Sequence, residues 1–185
     1  MDFIIKQGQE LPIEIFQEIL DLDKSTYGDQ VITNEGLAFR RYEKFKDGII
    51  AAFFNHELAG FFCFYSVNAN VYDQAVNRQL IFDDNLQVAD LKPLTPNKPN
   101  YVLLLDMNIK KQFRSEGLAR RLEQTAGNYL IQKENEGYKI DKIFAYAYTE
   151  EGFKILKNLG GHVVWEKEGM TLMDLLPAAF MELSQ

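Results

Sequence analysis

The chain has a single cysteine, Cys63, and two histidines, so an internal disulfide is excluded. With His56 in a turn-like segment and His162 opening a late strand, neither a metal constellation nor a catalytic triad can be assembled. No run approaches the ~20 apolar residues that a membrane span requires. A positive balance is missing too. The formal charge of −7 opposes broad contact with nucleic acid or an anionic membrane, whose phosphates bind clustered Lys and Arg, so any phosphate site must be local. The N-terminal "MDFIIKQGQE" carries acids and no long apolar stretch. Together these absences lead us to expect a soluble cytoplasmic protein with no nucleic-acid, membrane or metal partner. Cys63 lies in the aromatic run "GFFCFY", where a buried, inert thiol is the ordinary case.

What is present is globular. A 46% hydrophobic content over 185 residues supports a substantial core, and no repeat or linker divides the chain, so a single domain over 1–185 is expected. "DFIIKQ" reads as a strand. "LPIEIFQEILDLDKSTYG" reads as a helix with proline in its first turn, Ile13, Phe16 and Leu20 on one face, and Gly28 as its stop. A second helix runs from a cap at Thr33 or Asn34 to Gly48, with Ala38, Tyr42 and Phe45 on one side. "GIIAAFF" and "LAGFFCFYSV" form a hairpin about "NHE". A short helix or turn and a long surface loop at 83–100 come next, and the loop could serve as a ligand cover. "YVLLLDMNI" is a strand buried on both faces. Leu118, Leu122, Ala126 and Tyr129 mark a helix ending at Gly137. Strand "DKIFAYAYT", helix "EEGFKILKNLGG" and hairpin "HVVWEKEGMTLMDL" complete the order. The alternation predicts an α/β fold: a mixed, largely antiparallel central sheet of six to seven strands with helices on both faces.

The chemistry concentrates where the strand "YVLLLDMNI" turns into its helix. The N–H groups of a first helical turn lack internal partners and sit at the positive end of the peptide dipoles, so an anion is stabilised there. Gly117 keeps that approach bare of side chain, and the small Ala119 lets the helix sit close to a strand. Lys110, Lys111, Arg114, Arg120 and Arg121 crowd the same stretch, opposed only by Glu116. A polyphosphate would suit this arrangement; a solvated basic face with a turn glycine is the alternative. Neither the P-loop spacing nor the dinucleotide fingerprint is present.

The stretch Arg114-x-x-Gly117-x-Ala119, behind a strand ending Met107-Asn108-Ile109, resembles the acetyl-CoA signature Q/R-x-x-G-x-G/A of the GNAT superfamily of N-acetyltransferases. The element order is similar to that superfamily's over nearly the whole chain. The resemblance implies a GNAT-like acyl-CoA N-acyltransferase fold with acetyl-CoA as co-substrate and no metal. It implies that the amides of Ser115, Glu116, Gly117, Leu118 and Ala119 hold the diphosphate, with Arg114 or Arg120 adding charge. The backbone of Met107, Asn108 and Ile109 would pair with the pantetheine arm. This requires the strand to splay from "FAYAYT". Asp106 is the candidate base, a carboxylate that merely pairs with a lysine being the alternative. The superfamily pattern N-x-x-A-x-x-x-Y places Thr149 first, near the cofactor, and Leu156 where a tyrosine usually donates a proton. Leucine cannot donate, so either Tyr148 or Tyr146 is the candidate acid, with aromatic sheet packing as its alternative, or a water serves, or the chain does not catalyse transfer.

Three functions stay open at this point: acetyl transfer to a primary amine of a small molecule or peptide, a non-catalytic CoA or acyl-CoA binding or regulatory module, and a protein binding another phosphate compound. The acceptor and the oligomeric state, a homodimer being one option, are not fixed by the sequence.

Overall fold

In a computed structural model that describes residues 1–28, 34–81 and 83–183, seven strands form one sheet in the order β1-β2-β3-β4-β5-β7-β6. The strands are β1 (Ile4–Gln7), β2 (Ile49–Phe54), β3 (Glu57–Val67), β4 (Asn100–Ile109), β5 (Ile140–Ala147), β6 (Gly161–Lys167) and β7 (Met170–Leu175). Only β4 and β5 run parallel, joined by the long helix α4 (Leu118–Asn135). The parallel pair needs such a crossover, whereas β2–β3 and β6–β7 close through tight turns. Asn55 and His56, at φ 50° and 70°, supply the left-handed turn of the first hairpin. Remaining helices are α1 (Ile15–Tyr27), α2 (Glu35–Lys44), α3 (Ala69–Val76), α5 (Glu150–Asn158) and α6 (Pro177–Leu183). Among the described residues no helix is long and apolar enough to cross a membrane.

Most boundaries follow the residue chemistry. Asn34 accepts the Leu37 N–H at 2.9 Å and so caps α2; Thr33, the other expected cap, lies outside the described residues. Gly28 and Gly137, both at positive φ, stop α1 and α4. Three expectations need correction. Helix α1 begins at Ile15, after a turn that contains Pro12, so Ile13 falls outside it and is exposed, and the buried seam is Ile15, Phe16, Ile19, Leu20, Leu22 and Asp23. The segment after α3 is an anchored strap: Leu86 and Leu91 are buried, Arg41 donates to the Leu86 carbonyl at 2.7 Å, and Lys44 donates to that of Val88. Helix α6 was not foreseen; it buries Phe180 and packs beside α4.

The register of β4 positions the site. Cys63 pairs with Asp106 and Phe64 with Leu104, so Leu105 has no partner on β3 and forms a bulge. The bulge puts Asp106 and Asn108 on the same face as Tyr101 and Leu103. That face is covered by α1 and α3, with Tyr72 of α3 packed on Tyr101 and Phe144. Met107 and Ile109 share the opposite face with Phe62 and Phe64, where Tyr129 of α4 packs on Phe64. Gly60 lies opposite Ile109. A Cβ there would stand 2.8 Å from the Asn108 carbonyl oxygen and 3.1 Å from the Ile109 Cα, so glycine allows the end of β4 to close on β3. Gly60→Val should cost about 1–3 kcal/mol, read as a lower urea midpoint with an unchanged slope; wild-type stability would refute this role.

Candidate functional site

Strands β4 and β5 pair from Asn100 only as far as Leu104, opposite Ala145. Beyond that point β5 continues along β7 through Tyr146 and Ala147, while β4 continues along β3 to Ile109. The β4 edge from Leu105 to Ile109 is therefore unpaired on its β5 side. This is the splay that the resemblance requires, and it starts at the Leu105 bulge. Backbone groups left on such an edge accept an extended ligand as they would a strand.

The chain then turns through Lys110–Gly117 into α4. Ser115 and Gly117 both have left-handed φ, 70° and 71°, and bracket Glu116, so consecutive amides curl toward one point. Among the described residues the N–H groups of 115–120 meet no acceptor; Arg121 makes the first bond, to the Gly117 carbonyl at 3.3 Å. A Cβ on Gly117 would touch nothing within 4 Å, so the mouth of this amide cluster is open. Leu118 is buried and offers only its backbone, whereas Arg114 and Arg120 are exposed at the rim. Arg114 Nε donates to the Ile109 carbonyl at 3.1 Å, which holds the loop against the strand end. Arg121 is committed elsewhere, donating to the Phe3 carbonyl and lying over the Phe3 ring, so it leaves the basic cluster read from the sequence.

On the α1 face of the splay, Asp106 forms no ion pair with a lysine among the described residues. Its carboxyl is hydrogen-bonded to that of Asp23 from α1. Asp23, 7% exposed, also accepts from Asn108 Nδ2 at 3.2 Å, and Asn108 in turn accepts from Thr26 Oγ1 at 3.3 Å. Burial, then the neighbouring Asp106 charge, pushes the Asp23 carboxyl well above the ordinary carboxylate range. Burial also raises Asp106, while the hydrogen bonds from Asp23 and the Met107 N–H draw it back. Tyr27, one turn beyond Asp23, is raised by burial and by both carboxyls. Sequence reasoning missed Asp23. The available signal was an acid at helical spacing between Ile19 and Tyr27, on a seam otherwise apolar.

The remaining candidates divide. Tyr146 donates its hydroxyl to the Gln79 carbonyl at 2.8 Å and accepts from the Ile81 N–H; burial pushes it up to about 12, and it ties β5 to the strap. Tyr148, 63% exposed, borders a cleft of about 490 Å³ between the start of α5 and the β6–β7 turn. Thr149 Oγ1 accepts the Gly152 N–H at 3.0 Å as the cap of α5. Leu156 is buried. A second cleft, about 690 Å³, runs between Glu18, Asp21, Ser25 and Thr26 of α1 and the Ile109–Arg114 loop. Neither cleft is lined by Asp106 or by residues 115–119; the splay is defined by strand pairing, and the clefts flank it.

No family model and no curated protein matches the sequence. Solved structures do match in fold. The chain is similar to the loading GNATL domain of CurA from Lyngbya majuscula, at 13% identity over 96% of this chain and 99% of that one, with a TM-score of 0.69. It is similar to FeeM, an N-acyl amino acid synthase from uncultured soil microbes, at 11% identity over 97% and 93%, with a TM-score of 0.64. A mutant AtaT toxin bound to the C-terminus of the antitoxin AtaR and acetyl-CoA gives 13% identity over 99% and 98%, with a TM-score of 0.59. The chain has the GNAT fold.

Cys63 sits beneath this site, paired with Asp106, and burial pushes its thiol up. At pH 8 it should react with iodoacetamide at least about tenfold more slowly in the native protein than in urea; equal rates would mean an open path to it.

Proposed function

We propose that the protein is an acyl-CoA-dependent N-acyltransferase that moves an acetyl group from acetyl-CoA to a primary amine of a small molecule or peptide. The observation that carries this reading is the parting of β4 from β5 beyond Leu104, directly beside an open cluster of unpartnered amides. An extended arm with an anionic end matches both features at once. The diphosphate would take the amides of Ser115, Glu116, Gly117, Leu118 and Ala119, with Arg114 and Arg120 at the rim. The amide-containing arm would pair with Met107, Asn108 and Ile109, and Thr149 would border its thioester end. The acetyl-CoA carried by the AtaT neighbour supports acetyl as the group transferred.

The step is a direct attack. The lone pair of a neutral amine forms the new C–N bond at the thioester carbonyl, Asp106 takes the amine proton, and the C–S bond breaks with its electron pair leaving on the CoA sulfur. Tyr148 is the proposed donor to that thiolate. A carboxyl raised by burial is a stronger base than an ordinary aspartate, which suits proton removal near neutral pH. The fixed negative charge favours a cationic acceptor at the encounter stage. Leu156, in the position of the superfamily's tyrosine, supports a second reading, in which the chain binds CoA or acyl-CoA without turnover.

Gly117→Glu places a carboxylate in the open mouth of the amide cluster. Calorimetry should show CoA binding weakened at least about 100-fold, roughly 2.7 kcal/mol, in a folded protein. Unchanged affinity would remove the assigned diphosphate site. Free-thiol release from acetyl-CoA across a panel of amines then separates the two readings, since binding without release is the module. Asp106→Asn should lower kcat by about 10²–10⁴ and leave CoA affinity within about twofold.

A further inference from the structure

A role for the second carboxyl of the pair, Asp23, rests on the reading of Asp106 as the base. Asp23 sits on the seam that α1 buries against the sheet, where every other member is apolar. A carboxylate there would need a cation, and Arg41 of α2, the cation beside Cys63 and Tyr65, already donates to the Leu86 carbonyl and to Tyr65. The other groups facing the pair are Tyr27 from α1, Cys63 and Tyr65 from β3, and Arg114 from the loop after β4. Among the described residues, none of the ion pairs includes Asp23 or Asp106. A shared proton answers the burial instead: one carboxyl donates and the other accepts. Asp23 lies on the buried α1 seam and already accepts from Asn108, whereas Asp106 lies on β4 at the splay and receives the Met107 N–H.

We propose that Asp23 is a positioning residue for Asp106: it keeps the shared proton, donates it as a hydrogen bond, and so holds Asp106 ionised on the α1 side of the splay. The bulge at Leu105 and the bond from Asn108 fix the geometry, because together they bring both carboxyls onto one face. Asp106 then accepts the amine proton while Asp23 keeps its own. A pair with two charges would repel itself, and a pair with two protons would have no base.

Carboxyl ¹³C NMR titration of the full chain tests this without an acceptor. At pH 7 the wild-type protein should show Asp23 protonated and Asp106 ionised; two ionised carboxyls, or a proton on Asp106, would overturn the proposal. In Asp23→Ala the Asp106 midpoint should rise by about one pH unit or more. In Asp23→Asn, whose amide N–H restores the donor, it should return to within about half a unit of wild type. The acid limb of thiol release should follow the same order. An Asp106 midpoint that ignores both substitutions refutes the role, and the wild-type titration decides the matter even if Asp23→Ala does not fold. An active Asp106→Asn variant would remove the base reading itself, whereas an inactive one with an ordinary Asp23 removes only this inference.

Discussion

The molecule turns on the place where two parallel strands stop sharing hydrogen bonds. A sheet ordinarily keeps every interior N–H and C=O paired, because a polar group withdrawn from water without a partner costs about 1–3 kcal/mol. Here β4 and β5 hold that pairing from Asn100 to Leu104 and then abandon it, each continuing along its outer neighbour. The outer pairings are what make the parting tolerable, for each strand stays anchored on one side. The free edge is thus rigid, and it presents donors and acceptors at strand spacing without having to reorganise.

One inserted residue does more than bend the strand. A strand's side chains alternate, so without the bulge at Leu105 the face toward α1 would carry Leu105, Met107 and Ile109, and Asp106 would point at α4. The extra residue reverses that parity for the last four positions. Apolar side chains then continue the α4 face, with Phe62, Phe64 and Tyr129, while the carboxyl and amide of Asp106 and Asn108 turn to the face where α1 brings Asp23. The strand that opens the cleft and the strand that aims the polar groups are one strand, and both effects begin at the same residue.

Much of this was legible in the residues, and the failures have a common cause. The stops at Gly28 and Gly137, the Asn34 cap and the bare amide turn at Gly117 are local properties, set by backbone freedom and capping chemistry within a few positions, whereas Gly48, expected to stop α2, lies beyond its end at Lys44. The bulge is not local, since "LLLDMNI" reads as an unbroken period-two strand until its partner's register is known. Arg121 looked like part of a basic cluster because sequence proximity ignores direction; three residues into the helix its side chain has rotated to the Phe3 backbone. Ile13 was assigned to a buried face because Pro12 suits a first turn, yet the turn it makes precedes the helix. Asp23 and Asp106, 83 positions apart, could be joined only by the fold.

The two faces of the sheet therefore serve different ends, and the energetics show it. On the α4 side Leu118, Leu122, Ala126 and Leu130 are buried against aromatic strands, a packing whose strength does not depend on pH. On the α1 side the core contains Asp23, whose carboxyl is raised by burial when folded and returns to the ordinary carboxylate range in the unfolded chain. Its contribution is fully present below that range and fades as pH rises above it, so this side is loosened by alkali. An apolar residue at position 23 would avoid that loss. A buried acid beside the candidate base places that cost at the proposed site.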